Sequence, residues 1–231
     1  MHSYPLMKYL KILVVDDHVM ILKAISGLLT SAGVSDITLA PSSEKAIEVF
    51  DSKRYDVIIS DIEMEKMNGL ELLKLIRMGK TMADPSTPFI VLTSHANTTA
   101  IGIAIGLDVN GFLVKPTKLD QVFTKIDAAV NTKFRAKHPI VYDAISTDID
   151  TQDKVLNSTA NKHTERNTPD NLILEISIND VNPGMILYDD ILHKNGKILI
   201  ARDHCFTYAS RDRLLELTDQ LASPRIVIKI K

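Results

Sequence analysis

Short apolar runs recur through the first half of the chain, and most of them stop at a polar side chain. Residues 10–15, LKILVV, reach two consecutive carboxylates, Asp16 and Asp17. From Val19 to Ala32 the spacing of Ile21, Leu22, Ile25, Leu28 and Leu29 predicts a helix with one apolar side, ended by Gly33. Asp36–Ala40 reads as a second strand, and Ser42 or Ser43 is placed to cap a helix from Glu44 to about Ser52. Tyr55–Ser60 (YDVIIS) is a third strand stopping at Asp61, followed by a helix over Gly69–Met78. Pro88–Leu92 (PFIVL) stops at Thr93, and residues 97–106 are rich in Ala and Ile and read as helical. Gly111–Val114 (GFLV) precedes Lys115-Pro116, and Leu119–Phe134 closes the series as a helix.

Five strands alternating with five helices predict an α/β fold built on a five-stranded parallel sheet. Strands that are apolar throughout belong to a sheet covered on both faces. Ligands of such sheets gather at the carboxyl ends of the strands. Asp16, Asp17, Asp61, Thr93 and Lys115 all fall at such ends. Singly, each has an ordinary explanation as a cap, a turn or a strand exit. Their joint placement is what points to a site.

Composition changes at about residue 136. The segment 136–170 is polar with scattered large apolar residues, and reads as a linker with a short helix near 143–157. Order resumes at 171: NLILEISI is a strand, NDVNPGM a turn, and ILYDDIL a further extended piece. Asn195-Gly196 within HKNGK is a strong hairpin signal, with KILIA as the return strand. Ser210 is expected to cap a helix in RDRLLELTDQLA, and Arg225–Lys231 alternates as a final strand. The expected division is therefore a domain over 1–135, a polar linker over 136–170 and a small α+β domain over 171–231.

The chain has 231 residues, 45% of them hydrophobic, a mean hydropathy of +0.04 and a net charge of −2. A packed core is within its reach, and nothing global draws it to phosphate backbones or anionic lipid. Lys/Arg and Asp/Glu are balanced at eight each in 171–231. The single cysteine, Cys205, suits a reducing compartment. MHSYPLMKYL lacks the apolar stretch of a signal peptide, and no window of about 20 apolar residues offers a membrane span. A cytoplasmic protein is the expectation.

If the five strands are parallel, Asp16, Asp17 and Asp61 converge, and their repulsion calls for a cation or raised pKa values. A hard divalent cation with oxygen ligands answers this, and Mg²⁺ retains several waters beside one or two carboxylates. Lys115 would add a positive charge and Thr93 a hydroxyl. Such a constellation accommodates a phosphoryl group carried on one of the carboxylates. His18 and His95 lie near it in sequence without the spacing of a Cys/His metal site and are expected on the surface, while Met64 and Met67 are expected to pack the loop after Asp61.

Residues 10–134 resemble the receiver domain of two-component response regulators through VVDD (14–17), DIEMEKMNG (61–69), VLTS (91–94) and GFLVKP (111–116). The resemblance implies a flavodoxin-like sheet of order 2-1-3-4-5. It implies that Asp61 accepts a phosphoryl group from a sensor histidine kinase or phosphotransfer protein. Asp16 and Asp17, with Asp61 and the backbone carbonyl of Glu63, would hold Mg²⁺. Thr93 and Lys115 would contact the phosphoryl group, and Thr93 with Phe112 would form the switch. Receivers also often dimerise through the switch face. The chain departs from the pattern at Glu65, where many receivers have proline, and at Thr117, where a large apolar residue is common. GKTMADPST (79–87) reads as a surface insertion.

A stretch of the C-terminal segment, about a quarter of the chain, resembles a small module found near receivers and HD-type phosphodiesterases in bacterial signalling proteins, through VNPGMILYDDILHKNGKILIARDHCFTYASRDRLLEL. It implies a regulatory or interaction unit that binds a downstream protein or small ligand, with no catalytic residue to carry over. The expectation is thus a phosphoacceptor signalling protein, not an enzyme beyond slow self-dephosphorylation. The alternatives are a DNA-binding transcriptional regulator and a metal-dependent phosphohydrolase. Against the first, no basic recognition helix is evident in 171–231. Against the second, the DxD pair of a dehalogenase-like enzyme is missing after the first strand, where DD is followed by His18.

Overall fold

The protein is described by a computed structural model covering residues 7–94, 97–151 and 173–229. In chain order its first elements are β1 (Lys11–Val15), α1 (Val19–Ser31), β2 (Asp36–Ala40), α2 (Ser43–Phe50), β3 (Val57–Asp61) and α3 (Gly69–Arg77). They are followed by β4 (Phe89–Thr93), α4 (Thr98–Gly106), β5 (Gly111–Val114), α5 (Leu119–Asn131) and α6 (Pro139–Asp143). The remainder comprises β6 (Ile173–Ser177), β7 (Ile186–Leu187), β8 (Ile191–Leu192), β9 (Ile198–Ile200), α7 (Tyr208–Glu216) and β10 (Arg225–Lys229). No described helix is long and apolar enough to cross a membrane.

The chain divides into two compact units: the described residues of Met1–Ala96 with Val109–Ala144, and those of Asn97–Asp108 with Ile145–Lys231. The first holds a parallel sheet of order β2-β1-β3-β4-β5, the order that the resemblance implies. Alternate strand residues point to opposite faces, and here both faces are dry. Ile12, Val14, Val57, Ile59, Ile90 and Leu92 pack with Leu22, Ile25 and Leu29 of α1 and Val122 and Ile126 of α5. Leu13, Val15, Ile58, Phe89 and Val91, on the other face, are equally inaccessible. This double burial is why the strands carry no alternation in the sequence.

Helix starts follow local chemistry. The Ser42 hydroxyl accepts from the Lys45 amide at 3.2 Å and settles the cap of α2. Asn68 accepts from the Leu70 and Glu71 amides while Glu71 returns a bond from the Asn68 amide, a complete capping box for α3. Residues 139–143, polar enough in context to read as linker, form α6 with Tyr142 fully buried; its hydroxyl accepts from the Lys137 amide at 2.8 Å. Of the helix expected near 143–157, residues 152–157 lie outside the described residues.

The second unit contains α4, a three-stranded antiparallel sheet of order β6-β10-β7 and the β8–β9 hairpin. Gly196 (φ 83°) and the bond from its amide to the His193 carbonyl at 2.8 Å close that hairpin where Asn195-Gly196 predicted it. ILYDDIL is not one extended piece: it breaks into β7 and β8, the first pairing with β10 and the second with β9. Thr207, not Ser210, caps α7. Its hydroxyl accepts from the Ser210 amide at 3.0 Å, and the Ser210 hydroxyl accepts from the Thr207 amide at 2.8 Å.

Candidate functional site

The site is a product of strand register. β1 and β3 pair Val15 with Ser60, so the residues that follow these two, Asp16 just past β1 and Asp61 at the end of β3, arrive side by side. Asp16 is fully buried and Asp61 is 4% exposed. The Thr93 carbonyl accepts from the Lys115 amide at 2.8 Å, which extends the β4–β5 ladder past β5 and holds the lysine at the same end of the sheet. Lys115 and Pro116 are joined by a cis peptide bond.

Lys115 Nζ lies 2.7 Å from Asp16 Oδ2 and 2.9 Å from Asp61 Oδ2, bridging the two carboxylates. The remaining oxygens accept backbone amides: Asp16 Oδ1 from His18 at 2.8 Å and Asp61 Oδ1 from Ile62 at 2.8 Å. Asp17 is different. Its Oδ1 is buried and lies 2.6 Å from His18 Nδ1, without the geometry of a hydrogen bond. Burial pushes the Asp61 carboxyl above its ordinary range, against the pull of Lys115, and the charge of Asp16 adds to the rise. Burial opposes the charge of Lys115 too, but its bonds to Asp16 and Asp61 outweigh this and raise the ammonium above its usual value.

Ligand atoms of Asp16, Asp17, His18 and Asp61 lie within 4.8 Å of one another. Three carboxylates, one of them with an unsatisfied buried oxygen, match the hard-oxygen donor set of Mg²⁺. Glu63 lies in the exposed loop after β3, and among the described residues its carbonyl accepts no hydrogen bond. His18, expected on the surface, has a side chain 71% exposed, yet its Nδ1 belongs to the acidic cluster. Spacing alone gave no sign of this, because DDH lacks the pattern of a metal-binding histidine. Met64 and Met67 are half-buried in that loop, and His95 lies outside the described residues.

Gly69 makes the loop after Asp61 possible. A Cβ at this position would stand 1.9 Å from the Asp61 carbonyl oxygen. With hydrogen there instead, the Gly69 amide bonds the Ile62 carbonyl at 3.0 Å and draws the start of α3 onto the end of β3. Thr93 ends β4 and is 6% exposed, one residue beyond Leu92, the register partner of Asp61. Phe112 pairs with Val91, and Val114 with Thr93, so Thr93 and Phe112 share one face of the sheet. Phe112 is half-buried.

A doubly covered sheet in this order, with a buried aspartate at the end of its third strand among further acids and a lysine, defines a receiver of the two-component class. The chain belongs to the response regulator receiver family: the family model described as "Response regulator receiver domain" matches residues 12–127. Transcriptional regulatory protein GlrR of Escherichia coli K12 is 32% identical over 136 residues, which are 59% of this chain and 30% of that protein. The probable chemotaxis protein CheY of Rhizobium etli is 30% identical over 122 residues, 52% of this chain and 91% of that protein. The structure of chemotaxis protein CheY4 of Vibrio cholerae, 29% identical, covers 52% of this chain and 98% of its own, with a TM-score of 0.48. The chain thus spans less than a third of GlrR and most of the length of the CheY relatives.

Proposed function

We propose that this protein accepts a phosphoryl group on Asp61 from a sensor histidine kinase or phosphotransfer protein and relays the signal to its C-terminal module. The observation that carries the reading is the shared lysine: Lys115 Nζ bridges Asp16 and Asp61 beside the unsatisfied oxygen of Asp17. In the transfer, an Asp61 carboxylate oxygen attacks the phosphorus of a phosphohistidine. The O–P bond forms as the N–P bond breaks, and the departing imidazole takes a proton from solvent. Lys115 is already within reach of the attacking carboxylate, so its ammonium needs little rearrangement to follow charge onto the phosphoryl oxygens.

Asp16, Asp17 and Asp61, with the Glu63 carbonyl, would hold Mg²⁺. When bound, the ion supplies neutralising charge to those oxygens. The Thr93 hydroxyl is the donor for a remaining phosphoryl oxygen, and its movement toward Asp61 opens the sheet face that it shares with Phe112. The result is a packing switch driven by a local charge change.

The receiver is segment 1–135 and the regulatory module segment 171–231, joined through 136–170. The module's partner is a protein or small ligand. Duplex DNA is a poorer fit, because Arg211 and Arg213 of α7 pair with Asp212 and Glu216, and Arg213 is buried. Incubation with acetyl phosphate and Mg²⁺, read by intact mass, tests the chemistry. The wild type should gain one phosphoryl group and Asp61→Asn none; equal uptake by the two would overturn the assignment.

A further inference from the structure

His18 is the N-cap residue of α1 (φ −90°, ψ 105°), where a short oxygen-bearing side chain ordinarily takes a backbone amide. Its side chain makes no such bond. The backbone of the residue is held firmly all the same. Its amide donates to Asp16 Oδ1 at 2.8 Å, and its carbonyl accepts from the Ile21 and Leu22 amides at 2.9 and 3.1 Å. The imidazole lies against the acids instead, with Nδ1 2.6 Å from Asp17 Oδ1 and 3.5 Å from Asp16 Oδ1.

The contact with Asp17 has the spacing of a strong hydrogen bond without its direction. The in-plane axis of Nδ1 does not run to Oδ1, and that oxygen stays buried and unsatisfied. Two donor atoms this close, yet not bonded to each other, are placed as neighbours around a third atom. Adjacent ligands of an octahedral cation stand about 3 Å apart when its bonds are about 2.1 Å long. Ligand atoms of Asp16, Asp17, His18 and Asp61 all fall within 4.8 Å of one another. Two of the carboxylates are already engaged, since Lys115 Nζ holds Oδ2 of Asp16 and Oδ2 of Asp61. A cation here gains from a donor for which the ammonium does not compete.

We infer that His18 Nδ1 is a direct metal ligand, and that it turns the site toward a divalent first-row transition ion and away from Mg²⁺. The inference rests on the reading of Asp16, Asp17 and Asp61 as the metal site. Mg²⁺ is hard and takes oxygen, whereas imidazole suits the transition ions, whose affinities for a mixed nitrogen and oxygen site climb along the series from Mn²⁺. Neutral imidazole binds through either ring nitrogen. The side chain is 71% exposed, so it closes on an ion without disturbing the core.

Metal binding to the untagged full-length chain, with no phosphoryl donor present, tests this. His18→Phe keeps a planar ring and removes the nitrogen. Mn²⁺ and Co²⁺ should each bind this variant about tenfold more weakly than wild type, while Mg²⁺ affinity should change less than about twofold. Pulsed EPR of the Mn²⁺ complex should show modulation from a directly bound ¹⁴N in the wild type and lose it in His18→Phe. A histidine that merely orients Asp17 would give no such signal. Bound Mn²⁺ without nitrogen modulation, or affinities that respond equally for Mn²⁺ and Mg²⁺, would overturn the inference and leave the acidic site standing. Wild type that binds neither ion, or binding of both that survives Asp17→Asn undiminished, would overturn the metal site itself.

Discussion

Lys115 Nζ stands 2.9 Å from Asp61 Oδ2 while also holding Asp16, so one ammonium neutralises two buried carboxylates. Removing it leaves both acids without their cation. Lys115→Met is expected to destabilise the metal-free protein by about 3 kcal/mol, the low end for a broken buried pair because the cleft opens to water at Asp17. Urea unfolding in EDTA measures this, and added Mg²⁺ should return a large part of the loss.

The raised carboxyl of Asp61 gives a pH test with a definite sign. Because the folded state favours the protonated form, the stability Asp61 contributes is present at acid pH and is lost as pH rises through its raised value. Asp61→Asn is neutral throughout. In EDTA, its urea midpoint should therefore climb relative to wild type between about pH 4 and pH 7. A difference that stays flat or narrows over that range would show the carboxyl to be unperturbed.

Gly69→Ala should force the start of α3 away from the end of β3, since the added methyl meets the backbone oxygen of Asp61. The expected cost is about 1–3 kcal/mol, as for overpacking elsewhere. Mg²⁺-dependent uptake from acetyl phosphate should slow with it, because the carbonyl belongs to the acceptor residue itself.

The Thr117 hydroxyl is buried without a hydrogen-bond partner. Thr117→Val removes that group while keeping the shape. A gain of about 1 kcal/mol in thermal or urea unfolding is expected, with phosphoryl uptake unchanged.

The sheet and the acidic cluster were legible because both follow from local rules. Runs buried on both faces announce parallel strands, and the strand order implied by the resemblance to receivers then brings Asp16, Asp61 and Lys115 to one end of the sheet. What escaped the sequence depends on distant partners. GKTMADPST lies largely at the surface, but its carbonyls anchor Arg77, which is fully buried beside it. Its Nη1 donates to the Pro85 and Thr87 carbonyls at 2.6 and 2.9 Å and its Nη2 to Asn110 Oδ1 at 2.9 Å, beneath the ring of Phe134. Arginine late in an amphipathic helix gives no hint of such a role. In α7, Thr207 and Ser210 both have capping chemistry, and only the backbone course after Phe206 decides between them.

The central claim concerns one carboxylate, and chemical trapping addresses it most directly. An acyl phosphate is reduced by borohydride, whereas a free carboxylate is not. After incubation with acetyl phosphate and Mg²⁺, peptide mapping should find aspartate converted to homoserine at position 61, and unchanged aspartate at 16 and 17. Conversion at either of the other two, or an untouched position 61 in protein that has gained a phosphoryl group, would contradict the account.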